Sequence, residues 1–350
     1  MSTILSKSPY HINVSDTDLI YAEVDVYVYT GEQTVDRFGT PNYTLKSTAI
    51  NESLSFDIGS LVNDAIQYPS DSSYRTDGAW LDYEIRRYTD DGTGPVLVTD
   101  AIVQLYAVDG YSYFSEGANY NANRGLCLST ECMYAPKDKT IRFPINKRVV
   151  SSYEEYRNGN RDYNNPDLVV SYATNDFSGQ QFVYPSTTSN NVDLIRVVKR
   201  DGSYEYVYID RIDECKFEPV KLKFVNRYGA MEDLWFFKRS DKSITITSKE
   251  YQNNQILSNG TYNTYEHQFR KFNSQARETV SINSGFVKEE SNEAFTQLLM
   301  SSKVWMTFEG EELPVNIKSK SMKYKNGLND KLIDYKLEVE FAFNKINTIR

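Results

Sequence analysis

The sequence predicts an all-β protein with a few short helices, arranged as two or three β-sandwich-like domains. Three observations carry this. Aromatic residues are abundant, with 28 Tyr and 17 Phe in 350 residues, and rings and β-branched side chains suit pleated, half-buried surfaces. Apolar and polar residues alternate with period two through many short runs that turn residues separate, as in sandwich strands. The chain is too long for one ordinary sandwich, and 40% hydrophobic with 25% charged residues supports a packed core rather than disorder.

The first strands follow Ser8-Pro9-Tyr10, with Ile12 and Val14 ahead of a Ser15-Asp16-Thr17-Asp18 turn. Residues 19–30 alternate cleanly: Ala22, Val24, Val26 and Val28 face a core, while Glu23, Asp25, Tyr27 and Tyr29 face solvent or a partner. Ile58, Leu61, Val62 and Ala65 sit at helical spacing, so a short amphipathic helix is expected there, with Asp57 as cap and Pro69 as stop. Residues 79–88 and 96–108 read as strands around the Asp-Asp-Gly-Thr-Gly-Pro turn at 90–95. A Tyr/Asn/Gly-rich loop is expected over 111–125, and residues 153–166 read as a polar loop. Residues 194–198 and 204–209 flank Arg-Asp-Gly-Ser, where Asp201-Gly202 suits a two-residue type I′ hairpin.

Residues 219–247 organise the rest. Val220, Leu222 and Phe224 alternate with Lys221 and Lys223, and Asn226-Arg227-Tyr228-Gly229 form a turn. Leu234-Trp235-Phe236-Phe237 then return as a strand, closed by Lys238 and Arg239. Strands are also expected over 266–272 and 278–282. A helix follows over 292–300, with Ser291 or Asn292 as cap and Phe295, Leu298 and Leu299 as its stripe. Residues 332–343 close the chain as a strand with Ile333, Tyr335, Leu337, Val339, Phe341 and Phe343 on one face. Three segments result. Residues 1–140 form an N-terminal β-sandwich and 141–215 a middle β-rich segment with long loops. Residues 216–350 form a C-terminal β-sandwich with one helix near 292–301.

A net charge of −9 argues against general nucleic-acid binding, which needs a basic field. Three cysteines, Cys127, Cys132 and Cys215, are too few for a disulfide framework and point to free thiols in a reducing cytoplasm. No apolar run is long enough for a membrane span, and the N-terminus does not read as a secretion signal. No P-loop, nucleophile elbow or His-Glu-x-x-His occurs, and His11 and His267 are the only histidines. No enzyme activity, catalytic residue, metal or cofactor is expected. Three chemical readings stand beside bland ones. The Asn/Asp loop around 162–167 has oxygen ligands for Ca²⁺ but lacks EF-hand spacing, and otherwise reads as a surface loop. Glu154-Glu155 and Glu311-Glu312 suit a glycosidase pair or solvated charge. Trp80, Tyr111, Tyr113 and Tyr120 suit sugar stacking or core packing. The candidate assembly interface is Tyr27, Tyr29, Lys221, Lys223, Arg227, Tyr228, Lys238 and Arg239.

Several phrases carry a resemblance. They are Asn-x-Tyr-Gly-Ala-x-x-Asp-Leu-Trp-Phe-Phe-Lys-Arg-Ser at 226–240, reached from Glu-Cys-Lys-Phe-Glu-Pro-Val-Lys-Leu-Lys-Phe at 214–224, and Leu-Leu-x-Ser-x-x-Val at 298–304. Residues 335–346 (Tyr-Lys-Leu-Glu-Val-Glu-Phe-Ala-Phe-Asn-Lys-Ile) and the opening Ser-Pro-Tyr-His-Ile-Asn-Val-Ser at 8–15 fit the same picture. Together they resemble virion structural proteins of tailed bacteriophages, of the tail, neck or baseplate kind. The resemblance implies Ig-like or tail-tube-like sandwiches and many copies in a ring or sleeve. It also implies contact with other tail, connector or baseplate proteins, assembly in the bacterial host cytoplasm and no catalytic residues. The alternative is a carbohydrate-binding adhesin at the tail tip that uses the 111–125 loop.

Overall fold

In the computed structural model, described over residues 3–31, 39–68, 73–75, 78–121, 124–173, 181–187, 191–322 and 332–346, nearly every regular element is a strand. The expected all-β class with few helices holds. The chain divides into two compact units. Unit 1 is Met1–Asp213 with Lys223–Leu234 and Glu290–Ser302, and unit 2 is Glu214–Leu222 with Trp235–Glu289 and Lys303–Arg350. Residues 1–140 and 141–215, expected as separate segments, thus fall together in unit 1 as far as Asp213, and residues 216–350 are shared between both units. One strand pair helps explain the first point: Cys132–Pro136 pairs in parallel with Tyr204–Ile212, so the middle segment completes its sheet with a strand from before residue 140.

The first sheet of unit 1 runs in the order Thr3–Leu5, Val103–Val108, Ala79–Asp90, Leu19–Tyr29 and Tyr43–Thr48, with Pro95–Thr99 also paired to Ala79–Asp90. Ala22, Val24 and Val26 are fully buried, as the alternation predicts, whereas Val28 is only half-buried and Asp25, expected to face outward, is buried and paired with Arg86 at 2.6 Å. They pack with Ile12, Val14 and Phe56 of the two-stranded pair His11–Ser15 and Ser53–Asp57. The expected amphipathic helix is a short 3-10 turn, Gly59–Ala65. Its role survives, because Ile58 and Val62 are fully buried. The Asp57 carboxylate accepts from Gly59 N at 3.0 Å and Tyr10 N at 3.1 Å, holding the turn against the preceding strand. Pro69 lies outside the described residues.

The second sheet of unit 1 runs Leu168–Ser171, Val150–Arg157, Val192–Lys199, Tyr204–Ile212 and Cys132–Pro136. Here two expectations fail. Residues 153–157 are not loop but the end of an inner strand, Val150–Arg157. Their charges conceal the strand pattern, since Glu154 and Glu155 are buried and paired, with Arg196 at 2.6 Å and Arg157 at 3.1 Å. The turn at Asp201-Gly202 is not type I′, because only Gly202 has positive φ, +83°. Gly202 N donates to Lys199 O at 3.0 Å and Lys199 N to Ser203 O at 2.9 Å, which closes a longer turn with glycine at its left-handed position.

A seven-stranded sheet runs Met231–Phe236, Val220–Val225, Val304–Phe308, Glu311–Ile317, Leu332–Phe341, Phe269–Lys288 and Asp241–Gln252. In Leu332–Phe341 the alternate residues Ile333, Tyr335, Leu337, Val339 and Phe341 are buried, while Phe343, expected to continue that face, is exposed. The two expected strands over 266–272 and 278–282 are one 20-residue strand, Phe269–Lys288. The helix Asn292–Met300 forms as expected and belongs to unit 1, with Phe295 and Leu298 fully buried. Its first residue follows Ser291, which makes no side-chain capping bond.

Candidate assembly interface

The turn at residues 226–229 ties unit 1 together through a polar network. Asn226 Oδ1 accepts from Tyr228 N at 3.1 Å and Ala230 N at 3.2 Å, while its Nδ2 donates to Cys127 O at 2.7 Å and to Glu232 Oε2 at 2.8 Å. Gly229 closes the turn with φ +76°, and a β-carbon there would meet Val108 Cβ at 2.8 Å. Glu232 also accepts from Ser129 N at 3.1 Å and Ser129 Oγ at 2.5 Å. Burial nonetheless pushes its carboxyl up to about 7, against those three donors. The Arg227 guanidinium donates to Glu116 at 2.5 Å and lies over the rings of Tyr113, Tyr228 and Tyr120 at 4.6, 5.1 and 5.4 Å. Arg227 N donates to Gln297 Oε1 at 3.0 Å, and Tyr113 OH donates to Glu293 at 2.7 Å. Helix, loop and turn are therefore clamped by side chains whose polar groups are mostly occupied within the chain, although the buried Nε of Arg227 takes no partner among the described residues.

That clamp consumes much of the surface expected to meet a partner. Lys223, Arg227 and Tyr228 are buried, and the Lys223 ammonium sits over the Tyr74 ring at 4.9 Å. Lys221 lies 3.9 Å from Glu312. Lys238 and Arg239 are exposed but paired with Glu214 and Asp241, each at 2.7 Å. Tyr27 is half-buried, and burial beside Asp25 pushes its phenol above the ordinary value. Tyr29 is half-buried with its ring 6.1 Å from that of Trp80. The period-two pattern could not show this, because the ion partners and covering rings come from distant parts of the chain.

The other chemical candidates meet similar ends. Trp80 is fully buried, and Tyr111 and Tyr113 pack edge to face at 5.9 Å beside the helix, so the loop's rings are committed to packing. In the Asn/Asp loop, Asn160 Nδ2 donates to Asp167 Oδ2 at 3.0 Å, so the amide nitrogen stands where a cation would need oxygen. Among the described residues no cluster of three His, Cys, Asp or Glu could hold a metal. Burial pushes the Cys127 thiol far up, away from reactivity. His11 Nδ1 is 3.2 Å from Ser55 Oγ.

One surface is left uncovered in unit 2. Asp241–Gln252 is the last strand of its sheet and, among the described residues, pairs only with Phe269–Lys288. That second strand pairs with Leu332–Phe341 from Thr279 onward, and Ala276 O still takes a hydrogen bond from Lys345 N at 2.8 Å. Beyond it, residues 247–252 and 269–275 form a two-stranded arm roughly 20 Å long, at about 3.4 Å per residue. The arm and edge strand carry exposed Ile244, Ile246, Tyr251, Phe269 and Phe272, and the tip adds Ile256, Leu257, Tyr262 and Tyr265. Ile246 is 67% exposed and Tyr265 93%. The tip is nonetheless hydrogen-bonded: Asn253 N donates to Gln268 O at 2.7 Å and Leu257 N to Thr261 O at 2.8 Å. At its base lies a concavity of about 620 Å³ lined by Gln252, Asn253, Asn254, Gln255, Gln268, Tyr262 and Ile256. In sequence the arm is signalled only by the Ile-Thr-Ile-Thr run, since its apolar residues stand on both faces and so mark no core side. No protein-family model matches this chain, and no curated protein matches it in sequence.

Proposed function

We propose that this chain is a structural component of a bacteriophage virion. It forms part of the tail, neck or baseplate by packing in multiple copies against itself and neighbouring virion proteins. The observation that supports this is the uncovered arm. A two-stranded hairpin is marginal alone in water, and large apolar side chains on both its faces call for cover by another chain. The resemblance of residues 226–240, 298–304 and 335–346 to tail proteins supplies the setting. The work is mechanical joining, done in the tail region of the particle after synthesis in the host cytoplasm, with no cofactor and no chemistry.

Sedimentation velocity over a range of concentrations tests it. Association that rises with concentration, and that disappears when Ile246 and Tyr251 are both replaced by Lys, is the expected result. A monomer at every concentration, and the absence of the chain from purified particles, would refute it. The amide-lined concavity favours a second reading, a neutral-glycan site at the tail tip. Five carboxamides with one tyrosine match the hydroxyls and faces of a sugar. A glycan array without signal above background removes that reading and leaves the first untouched.

A further inference from the structure

We infer that neighbouring copies join strand to strand, the open edge of Asp241–Gln252 on one copy pairing with the open edge of Pro95–Thr99 on the next. This rests on the assembly reading above and names its two surfaces. Each strand has a single ladder partner among the described residues: the first ends its sheet beside Phe269–Lys288, and the second branches off its sheet beside Ala79–Asp90. Each therefore presents a row of unpaired N–H and C=O groups. Between Lys242 and Lys249 the first edge reads Ser-Ile-Thr-Ile-Thr-Ser, without charge or proline, and its bulge lies only after Thr247. The second reads Val-Leu-Val-Thr after Pro95, which stands at the first strand position, where proline is tolerated. Leu97 is 52% exposed and both its neighbours are exposed too. Charges and prolines that normally blunt an edge are missing from both centres.

Charge then selects the partner. Lysines bracket the first edge at 242 and 249, each beside an acid already paired within the chain, Asp241 with Arg239 at 2.7 Å and Glu250 with Lys271 at 3.7 Å, and aspartates bracket the second at 91 and 100. Lys242 and Asp100 have partners within the chain, Glu278 at 3.2 Å and Arg87 at 2.5 Å. Lys249 has no ion pair among the described residues, and the Asp91 carboxylate accepts only from its own turn, from Thr93 N at 2.8 Å and Thr93 Oγ1 at 2.5 Å. Antiparallel pairing of the first edge with its own copy would set Lys249 against Lys242. The same pairing of the second edge would set Asp91 against Asp100. Like charges opposed across strands repel, whereas the unlike edges attract. The contact is therefore head to tail, the type that closes into rings or extends as a sleeve.

Mixed single-cysteine variants test it. Ile244→Cys or Ile246→Cys is mixed with Leu97→Cys, all carrying Cys215→Ser, while Cys127 and Cys132 are buried. Under mild oxidation the mixture is expected to give at least tenfold more disulfide-linked dimer than either variant alone. Lys249→Asp is expected to weaken association severalfold, and adding Asp91→Lys on the same chain to restore it. Equal cross-linking by one variant alone overturns the inference in favour of like edges. Assembled material with neither cross-link nor charge-swap rescue also overturns it, while the assembly reading stands. A monomer throughout defeats both.

Discussion

Glu232→Gln should stabilise unit 1 at neutral and alkaline pH and lose that advantage in acid. The carboxyl is buried, and its folded value of about 7 lies above the ordinary 4.5. Below pH 4.5 the group is protonated in both folded and unfolded chains, so burial carries no ionic cost. Between 4.5 and 7 the unfolded chain releases the proton while the folded chain keeps it, and stability falls as pH rises. Above 7 the cost is constant, and the difference between the two values corresponds to about 3 kcal/mol as an upper estimate. A glutamine removes the charge and can keep the geometry. Its Oε1 can take the bonds from Ser129 N and Asn226 Nδ2, and its Nε2 can donate to Ser129 Oγ once that hydroxyl turns. Trp80 is the only tryptophan of unit 1, so its fluorescence in a Trp235→Phe, Trp305→Phe background isolates the relevant transition. Urea unfolding at pH 4.5, 6 and 8 should show a gain of 1 to about 3 kcal/mol at pH 8, fading to near zero at 4.5. A variant less stable than its parent at pH 8, or a difference independent of pH, would refute the reasoning.

Further outcomes follow from the same network and from the arm. Gly229→Ala forces a β-carbon toward Val108 at positive φ, and should cost at least about 2 kcal/mol in urea unfolding of unit 1. Glu116→Gln leaves the buried Arg227 guanidinium without its carboxylate. Because Glu116 is partly exposed, the expected loss is about 2 kcal/mol, below that of a fully buried pair. Ile246→Lys with Tyr251→Lys touches no packed core and should shift stability by less than about 0.5 kcal/mol while association is lost. Far-ultraviolet circular dichroism and sedimentation on the same samples separate the two effects.

The strands built on alternation, 19–29 and 332–341, were legible because their apolar residues line one face, although Asp25 on the opposite face is buried and paired with Arg86. The same logic misread residues 153–157, where buried Glu154 meets Arg196 on the neighbouring strand. It also misassigned Lys223 and Arg227. A cation that reads as surface in one dimension is interior when a distant carboxylate or ring covers it, and Glu116, Tyr113 and Tyr74 all come from more than a hundred residues away. Asn226 and Gly229 announced a turn, but nothing local announced that Glu232 and Ser129 would complete its network. The arm escaped notice for the opposite reason. Its apolar residues have no core to point toward, so a pattern that assumes one cannot find it.

Cryo-electron microscopy of purified particles or of the self-assembled chain tests the central claim most directly. Density from an adjoining subunit is expected over both faces of residues 244–252 and 269–272 in every copy. Copies whose arms project into solvent on both faces, in particles that are otherwise complete, would contradict it.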